Sequence, residues 1–179
     1  MQELSLNILD IAQNSIKANA SLIEIIVEKN TTDKTLKITI NDNGCGMSKL
    51  QVEHVVDPFY TTRTTRKVGL GVPFFKMTAQ MTGGTFLINS TPNIGTNVVA
   101  TYNYEHLDML PLGDMPSTMM SLVCVNPNIN FIYKYIVDNN EFCFDTFEIK
   151  KILDGVLINS PEILTFIKDF IAENQASIK

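Results

Sequence analysis

Residues 42–47, with the sequence Asp-Asn-Gly-Cys-Gly-Met, constrain the fold more than any other segment of the chain. They follow residues 36–40, in which apolar and polar side chains alternate as they do in a β-strand. Gly44 and Gly46 permit a tight loop whose backbone passes close to a ligand. Asp-Asn-Gly is also good turn chemistry in any protein, so the segment by itself predicts either a binding loop or an ordinary exit from a strand.

Three other segments accompany this loop along the chain. Asn14 lies on a predicted helix, the run Val-Gly-Leu-Gly-Val at residues 68–72 opens another helix, and Gly95-Thr96 follows a further predicted strand. The ordered set, which covers roughly residues 3–103, resembles the nucleotide site of the GHKL superfamily of histidine-kinase-like ATPases. This superfamily includes sensor histidine kinases, DNA gyrase, MutL and the large heat-shock chaperones. The resemblance implies an ATP-binding protein that uses Mg²⁺.

The predicted strands follow one another in pairs along the chain, and the predicted helices lie outside these pairs. This arrangement predicts an α+β fold. We expect a two-layer α/β sandwich in which helices cover one face of a mixed sheet, which the resemblance identifies as the Bergerat ATP-binding fold. The predicted helices cover residues 3–18, 48–55 and 71–81, and the predicted strands cover residues 21–28, 35–42, 85–89 and 96–104.

The chain is predicted to divide after residue 104. Pro and Gly interrupt the periodicity at residues 105–117, which we assign as a linker between an ATP-binding domain at 1–104 and a small C-terminal αβ appendage at 118–179. In the appendage, a hairpin is predicted over residues 131–144, followed by a helix that a capping box of Asp145 and Glu148 opens and a helix that starts at Ser160-Pro161. The appendage has too little core to fold securely alone, so we expect it to pack on the first domain.

Composition restricts the classes of partner. Residues 1–104 carry nine Lys/Arg and eight Asp/Glu, whereas residues 105–179 carry five and eleven, so neither half offers a basic stripe for nucleic acid. The sequence shows no membrane-spanning stretch and no signal peptide, and its three cysteines show no metal spacing. These features predict a cytoplasmic protein that binds neither nucleic acid nor a membrane.

The resemblance assigns roles to individual residues. Asn14 is the expected Mg²⁺ ligand, although by itself it would read as a helix-surface asparagine, and Asp42 is expected to accept a hydrogen bond from the adenine amino group. The remaining residues expected to bind the nucleotide are Gly44, Gly46, Met47, Phe59, Arg66, Lys67, Gly69, Leu70, Gly71 and Thr96.

The glycines at 69 and 71 stand where a helix begins, and the backbone N–H groups and positive dipole of such a terminus suit phosphate oxygens. Helix packing would explain the same glycines. Arg63, Arg66 and Lys67 lie in a short basic segment before them, which we interpret as a lid that contacts the terminal phosphate or as a basic surface loop.

Three residues are expected to act in catalysis: Asp10, Lys17 and Arg63. Gyrase and MutL have a Glu at the position of Asp10, where it activates the attacking water. The shorter Asp puts hydrolysis in question, because a general base needs hydrogen-bond reach of its proton. Lys17 is typical of histidine kinases, so the motifs favour the kinase branch.

A histidine kinase also requires a phosphoacceptor histidine on a dimerisation segment before this domain. Thirteen residues precede Asn14, and His54 and His106 are predicted to be ordinary surface or packing residues. In this respect the chain resembles the stand-alone anti-sigma-factor kinases. We therefore expect a kinase that phosphorylates a separate, unidentified protein, with an ATP-gated binding module and a slow ATPase that uses Asp10 as the alternatives. The oligomeric state and the presence of further residues in the native chain stay open.

Overall fold

The computed structural model describes residues 3–58 and 70–179. In chain order the elements are α1 (Leu4–Lys17), β1 (Leu22–Asn30), β2 (Thr35–Asp42), α2 (Lys49–Val55), α3 (Gly71–Met81), β3 (Thr85–Thr91), β4 (Gly95–Asn103), α4 (Met115–Val125), β5 (Asn130–Val137), β6 (Asn140–Asp145), α5 (Thr146–Ile152) and α6 (Pro161–Ser177). Within the described ranges, no helix has both the length and the apolar character that crossing a membrane would require.

All six strands form one mixed sheet in the order β3-β4-β2-β1-β5-β6. Neighbouring strands are antiparallel except β1 and β5, which pair in parallel from Leu22–Asn130 to Lys29–Val137. A parallel pair needs a crossover connection, and α4 lies within the connection from β4 to β5. The predicted α+β fold with a mixed sheet is confirmed.

Alternation of side chains along the strands determines where the core lies. On β1, Ile23, Ile25 and Val27 are buried, and the residues between them are only partly buried. The helices α3, α1, α4 and α6 lie side by side on the buried face, each in contact with the next. One continuous apolar core therefore lies between the helices and the sheet, and it includes residues from both predicted domains.

The helix α1 is amphipathic, and specific contacts hold its N-terminus. Leu4, Ile8 and Ile11 are buried against the sheet, as their spacing of three and four residues requires. Its N-cap residue, Glu3, makes no side-chain cap. Instead, the backbone N–H groups of Leu4 and Ser5 donate to the carbonyl oxygens of residues 111 and 112, at 3.0 and 2.8 Å. The predicted linker therefore supplies acceptors that the first helix would otherwise lack.

Two predicted local features differ from the structure in part, and a third agrees with it in position. The helix α4 starts at Met115, inside the segment predicted to be a linker, because Asp114 accepts a hydrogen bond from the Ser117 backbone N–H. Asp145 opens α5 as its N-cap, as predicted, but the capping box is incomplete: Asp145 accepts from the Phe147 N–H, and Glu148 pairs with Lys151 instead of returning to the cap. Ser160 does precede a helix that begins with Pro161, but it caps that helix without a side-chain hydrogen bond.

The domain boundaries after residue 104 stay a prediction, and the pairing of β5 with β1 suggests that the two parts unfold together. Phe131 on β5 is fully buried and lies opposite Ile23 of β1. We expect Phe131→Ala to lower the free energy of unfolding by about 3–5 kcal/mol, with β1 and β2 losing protection in the same transition. Denaturant unfolding followed by hydrogen exchange measures both effects.

Phe147→Ala is the matched control, because this phenylalanine is 49% exposed and its truncation should cost about 1 kcal/mol or less. A separate transition in which residues 130–145 unfold while β1 stays protected would contradict the expectation.

Candidate functional site

A cavity of about 410 Å³ opens between α1, the loop after β2, α2 and the start of β4. Both polar and apolar side chains line it, a combination typical of small-molecule sites. The lining residues are Ile11, Asn14, Ser15, Lys17, Ala18, Asp42, Cys45, Gly46, Met47, Gln51, Val55, Val72, Ile88, Thr96 and Val98.

Asp42 stands at the end of β2, and its carboxylate is held by two donors. Ser15 Oγ donates to Asp42 Oδ2 at 2.5 Å, and the Gly44 backbone N–H donates to Asp42 Oδ1 at 2.9 Å. An ionised carboxylate offers about four acceptor positions, so both oxygens keep lone pairs for a ligand. The carboxylate is thereby fixed in orientation while it still can accept a hydrogen bond inside the cavity.

Ser15 was not among the predicted site residues. Its position on α1 faces the sheet, and its side chain is only 3% exposed. A serine among the isoleucines and leucines of an otherwise apolar helix face was the available signal, since buried hydroxyls require partners.

The loop after Asp42 is fastened on both sides. Asn43 Oδ1 accepts from the backbone N–H groups of Ser21 and Leu22, both at 2.9 Å, so this asparagine closes the start of β1 and does not face the ligand cavity. The Cys45 N–H donates to the carbonyl of Ala18 at 2.8 Å, which ties the loop to the end of α1. The loop is therefore a preformed wall of the cavity.

Gly46 has a backbone angle φ of +65°, in the left-handed region that L-residues with a Cβ adopt at a cost. A Cβ at this position would also overlap the backbone carbonyl of Thr91. The next residue, Met47, donates its N–H to Ser90 Oγ at 2.8 Å. The glycine therefore lets the loop approach the β3–β4 turn closely enough to be held there.

Thr96 lies directly opposite Asp42 in the β2–β4 register. Its hydroxyl is 2.9 Å from Ser90 Oγ, and Ser90 Oγ is also 3.0 Å from the carbonyl oxygen of Gly95. Ser90 thus connects Thr96 to the loop that carries Met47. Sequence reasoning missed this serine because it lies on an edge strand, in no recognised motif.

Asn14 and Lys17 line the same cavity from the last turns of α1. Asp10 does not line this cavity. It lies one turn earlier on α1 and next to Gly71, since a Cβ added to Gly71 would lie 2.8 Å from the Asp10 Cβ. The N-terminus of α3 is therefore packed against Asp10. Leu70, its N-cap residue, is 46% exposed and lies outside the cavity.

Five predicted site residues fall outside the described ranges 3–58 and 70–179: Phe59, Arg63, Arg66, Lys67 and Gly69. Their assigned roles stay predictions. The proposed lid at residues 61–68 lies in the same undescribed part of the chain.

A hydrogen-bonded row crosses the uncovered face of the sheet behind the cavity. Asn97 donates to Asn41, Asn41 Nδ2 donates to Glu24 at 2.8 Å, and Lys134 Nζ donates to the other oxygen of Glu24 at 2.9 Å. Burial raises the pKa of Glu24, but the hydrogen bonds from Asn41 and Lys134 outweigh it and the pKa is lowered overall. This row joins β5 to the two strands that carry Asp42 and Thr96.

A protein-family model described as "Histidine kinase-, DNA gyrase B-, and HSP90-like ATPase" matches residues 2–106. The chain belongs to this family. Membership of this ATPase family supports ATP binding, and the sequence-based recognition of the superfamily is confirmed.

This chain is 30% identical over 96 residues to the Sensor histidine kinase YvrG of Bacillus subtilis. The alignment covers 51% of this chain and 17% of that protein. It is 31% identical over 94 residues to Sporulation kinase D of the same organism, with 52% and 18% covered. The chain therefore spans less than a fifth of the length of these relatives.

Solved structures share the fold. The N-terminal domain of a DNA repair protein superposes with a TM-score of 0.57 at 17% identity, covering 80% of this chain and 52% of that one. The MutL ATPase domain of Aquifex aeolicus, complexed with ADP, superposes with a TM-score of 0.51 at 12% identity, covering 81% and 63%. The two superpositions cover 80% and 81% of this chain, whereas the family model covers only residues 2–106. The likeness of fold therefore continues beyond residue 106.

Two glycines with positive φ provide a matched test of the loop. Gly46→Ala introduces both backbone strain and an overlap with Thr91, whereas Gly83→Ala introduces strain alone, because nothing lies within 4 Å of an added Cβ there. We expect Gly83→Ala to cost about 1–2 kcal/mol of stability with unchanged ATP affinity. Gly46→Ala should weaken ATP binding at least about tenfold, the equivalent of 1.4 kcal/mol.

Calorimetric titration with ATP and thermal unfolding of both variants measure these effects. Equal ATP affinity in the two variants would show that the close approach of the loop to Thr91 does not shape the binding site.

Proposed function

We propose that this protein is a Mg·ATP-dependent protein kinase that transfers the γ-phosphoryl group to a separate protein. One observation carries the proposal: the Asp42 carboxylate is fixed by Ser15 and Gly44 in a cavity that Asn14 and Lys17 also line. An acceptor for the base and polar groups for the phosphates are therefore present in one cavity. Similarity to two kinases of B. subtilis supports the kinase branch.

Adenine selectivity follows from the chemistry of a fixed carboxylate. Asp42 accepts hydrogen bonds only, and adenine presents an amino group where guanine presents a carbonyl oxygen. Because Ser15 and Gly44 already hold the carboxylate, binding adenine costs little ordering of this side chain. Thr96, which faces Asp42 across the β2–β4 pair, would support the same contact.

The proposed Mg²⁺ fits the donor set at the phosphate end of the cavity. Magnesium retains several waters and takes few protein oxygens besides those of substrate phosphates, so the single amide oxygen of Asn14 is sufficient. When bound, the ion would neutralise charge on the phosphates. Lys17 adds a positive charge on the next turn of α1, and positioning together with such charge supplies most of the catalysis in phosphoryl transfer.

Two alternatives use the same cavity. In a slow ATPase, Asp10 would accept a proton from water, and its place beside the N-terminus of α3 keeps this role available. In an ATP-gated binding module, no transfer would occur and nucleotide would alter a protein-binding surface.

Our proposal also includes a cytoplasmic location, a protein partner and the absence of nucleic-acid or membrane binding.

We expect Asp42→Asn to weaken ATP binding at least about tenfold, since a buried charge-assisted hydrogen bond is worth about 1.5–3 kcal/mol. Asp154→Asn is the control: it makes the same change of charge on an exposed turn far from the cavity and should leave affinity unchanged. The wild-type protein should also prefer ATP to GTP. Calorimetry that finds equal affinities for ATP and GTP would refute the role of Asp42.

A second pair of variants distinguishes metal binding from catalysis on α1. Asn14→Ala should remove the Mg²⁺ dependence of ATP binding, because it deletes the proposed ligand. Asp10→Asn should leave binding nearly intact, since Asp10 does not line the cavity. The readouts are ATP affinity with and without Mg²⁺, and phosphate release.

Each activity gives a different result with γ-labelled ATP and a protein extract. A kinase transfers label to protein, and a slow ATPase releases phosphate at a rate that Asp10→Asn abolishes. A binding module does neither but retains a partner only in the presence of a non-hydrolysable ATP analogue. Release of phosphate with no labelled protein, at a rate unaffected by Asp10→Asn, would contradict both the kinase and the assigned base.

A further inference from the structure

A second cleft, of about 430 Å³, lies at the opposite end of the sheet from the nucleotide cavity. Lys29 and Leu36, which pair with one another at the far end of the β1–β2 hairpin, form its floor. Tyr135 of β5, Tyr104, His106 and residues 109–112 form its sides. The predicted ATP-binding domain, linker and appendage all contribute to it, and ligand sites occur preferentially at such junctions.

Lys29 brings a positive charge to the cleft. Lys29 forms none of the ion pairs found among the described residues, and its ammonium lies 4.8 Å from the centre of the Tyr104 ring. Hydrogen bonds from Thr31 lower the pKa of Asp138, and Lys29 lowers it to a smaller extent. That carboxylate already accepts from both the N–H and the hydroxyl of Thr31.

A neutral donor lies on the neighbouring wall. None of the hydrogen bonds among the described residues uses the hydroxyl of Tyr135, and burial raises the pKa of this phenol, so it keeps its proton at neutral pH. The remaining wall is mainly apolar, with Leu36, Met109 and Leu112 partly or fully buried. A cation and a hydroxyl beside an apolar wall are complementary to an anion that carries a hydrocarbon chain.

We propose that this cleft is a second ligand site, which binds a small carboxylic acid with an apolar body. The carboxylate lies against Lys29 and Tyr135, and the hydrocarbon lies against Met109 and Leu112. The cleft falls within the range of about 300–1,000 Å³ typical of small-molecule sites.

The position of the site gives its occupant a route to the nucleotide. The carbonyl oxygens of the wall residues Pro111 and Leu112 accept hydrogen bonds from the first N–H groups of α1. The same helix carries Asn14 and Ser15 near its other end, about 15 Å away at 1.5 Å per residue. The regulatory consequence is a change in ATP affinity when the acid binds. It rests on the proposed function, because it requires that α1 holds the nucleotide. The ligand site itself does not depend on the proposed function.

Hexanoate is the probe for the site, with hexanamide and acetate as matched controls that lack the charge and the hydrocarbon chain. We expect hexanoate to shift the ¹³C-methyl NMR signals of Met109, Leu110 and Leu112 saturably, and the controls to shift them far less. Lys29→Met should weaken hexanoate binding at least about tenfold, as loss of a charge-assisted hydrogen bond does. Tyr135→Phe, which keeps the ring, should weaken it less.

Lys37→Met is the matched control variant. Lys37 lies next to Leu36 on the same strand but on the other face of the sheet, where it pairs with Glu28, so hexanoate affinity should not change. Methyl signals that do not respond to hexanoate, or a folded Lys29→Met variant that binds it as well as the wild type, would overturn the site. If Lys29→Met does not fold, Lys29→Gln provides the same comparison.

Coupling is measured separately, as the ATP dissociation constant with and without saturating hexanoate. A change of at least about fivefold, within the usual range of coupling energies, is expected. Identical ATP affinities would overturn the regulatory consequence, and absence of ATP binding in either condition would overturn the proposed function without affecting the hexanoate result.

Discussion

The hydrogen bond from Ser15 to Asp42 joins the first helix to the central strand at the place where the cavity opens. Asn14 and Lys17 line the cavity from α1, and the contact from Ser15 fixes the height of this helix above β2 at that end. The Cys45–Ala18 backbone hydrogen bond repeats the attachment one residue beyond the helix. Helix, strand end and loop are therefore tied together at one corner, where the Asp42 carboxylate is held in a fixed orientation.

Much of this corner could be predicted from the sequence. The spacing of Leu4, Ile8 and Ile11 predicted α1, and the alternation in β2 predicted the strand that ends at Asp42. These signals are local, because they depend on periodicity within one element. The motif order then identified the family, which the family model confirms.

Contacts between distant parts of the chain could not be predicted in the same way. Ser90 connects the loop to Thr96, and Pro111 caps α1, yet neither residue belongs to a periodic pattern or a motif. The parallel pairing of β5 with β1 also has no signal in the sequence, because the pattern of each strand predicts a strand but not its partner. Such pairings are set by which surfaces the core must bury, a property of the whole chain.

The pairing of β5 beside β1 has a consequence for any shortened version of the protein. The family model ends at residue 106, and a chain cut there would leave β1 as an outer strand with one row of its backbone N–H and C=O groups unpaired. Exposed strand edges with apolar flanks recruit strands from other molecules, and β1 carries three buried isoleucine and valine side chains. In the whole chain, β5 pairs with this edge of β1 and leaves no free row of backbone groups there for another molecule to join.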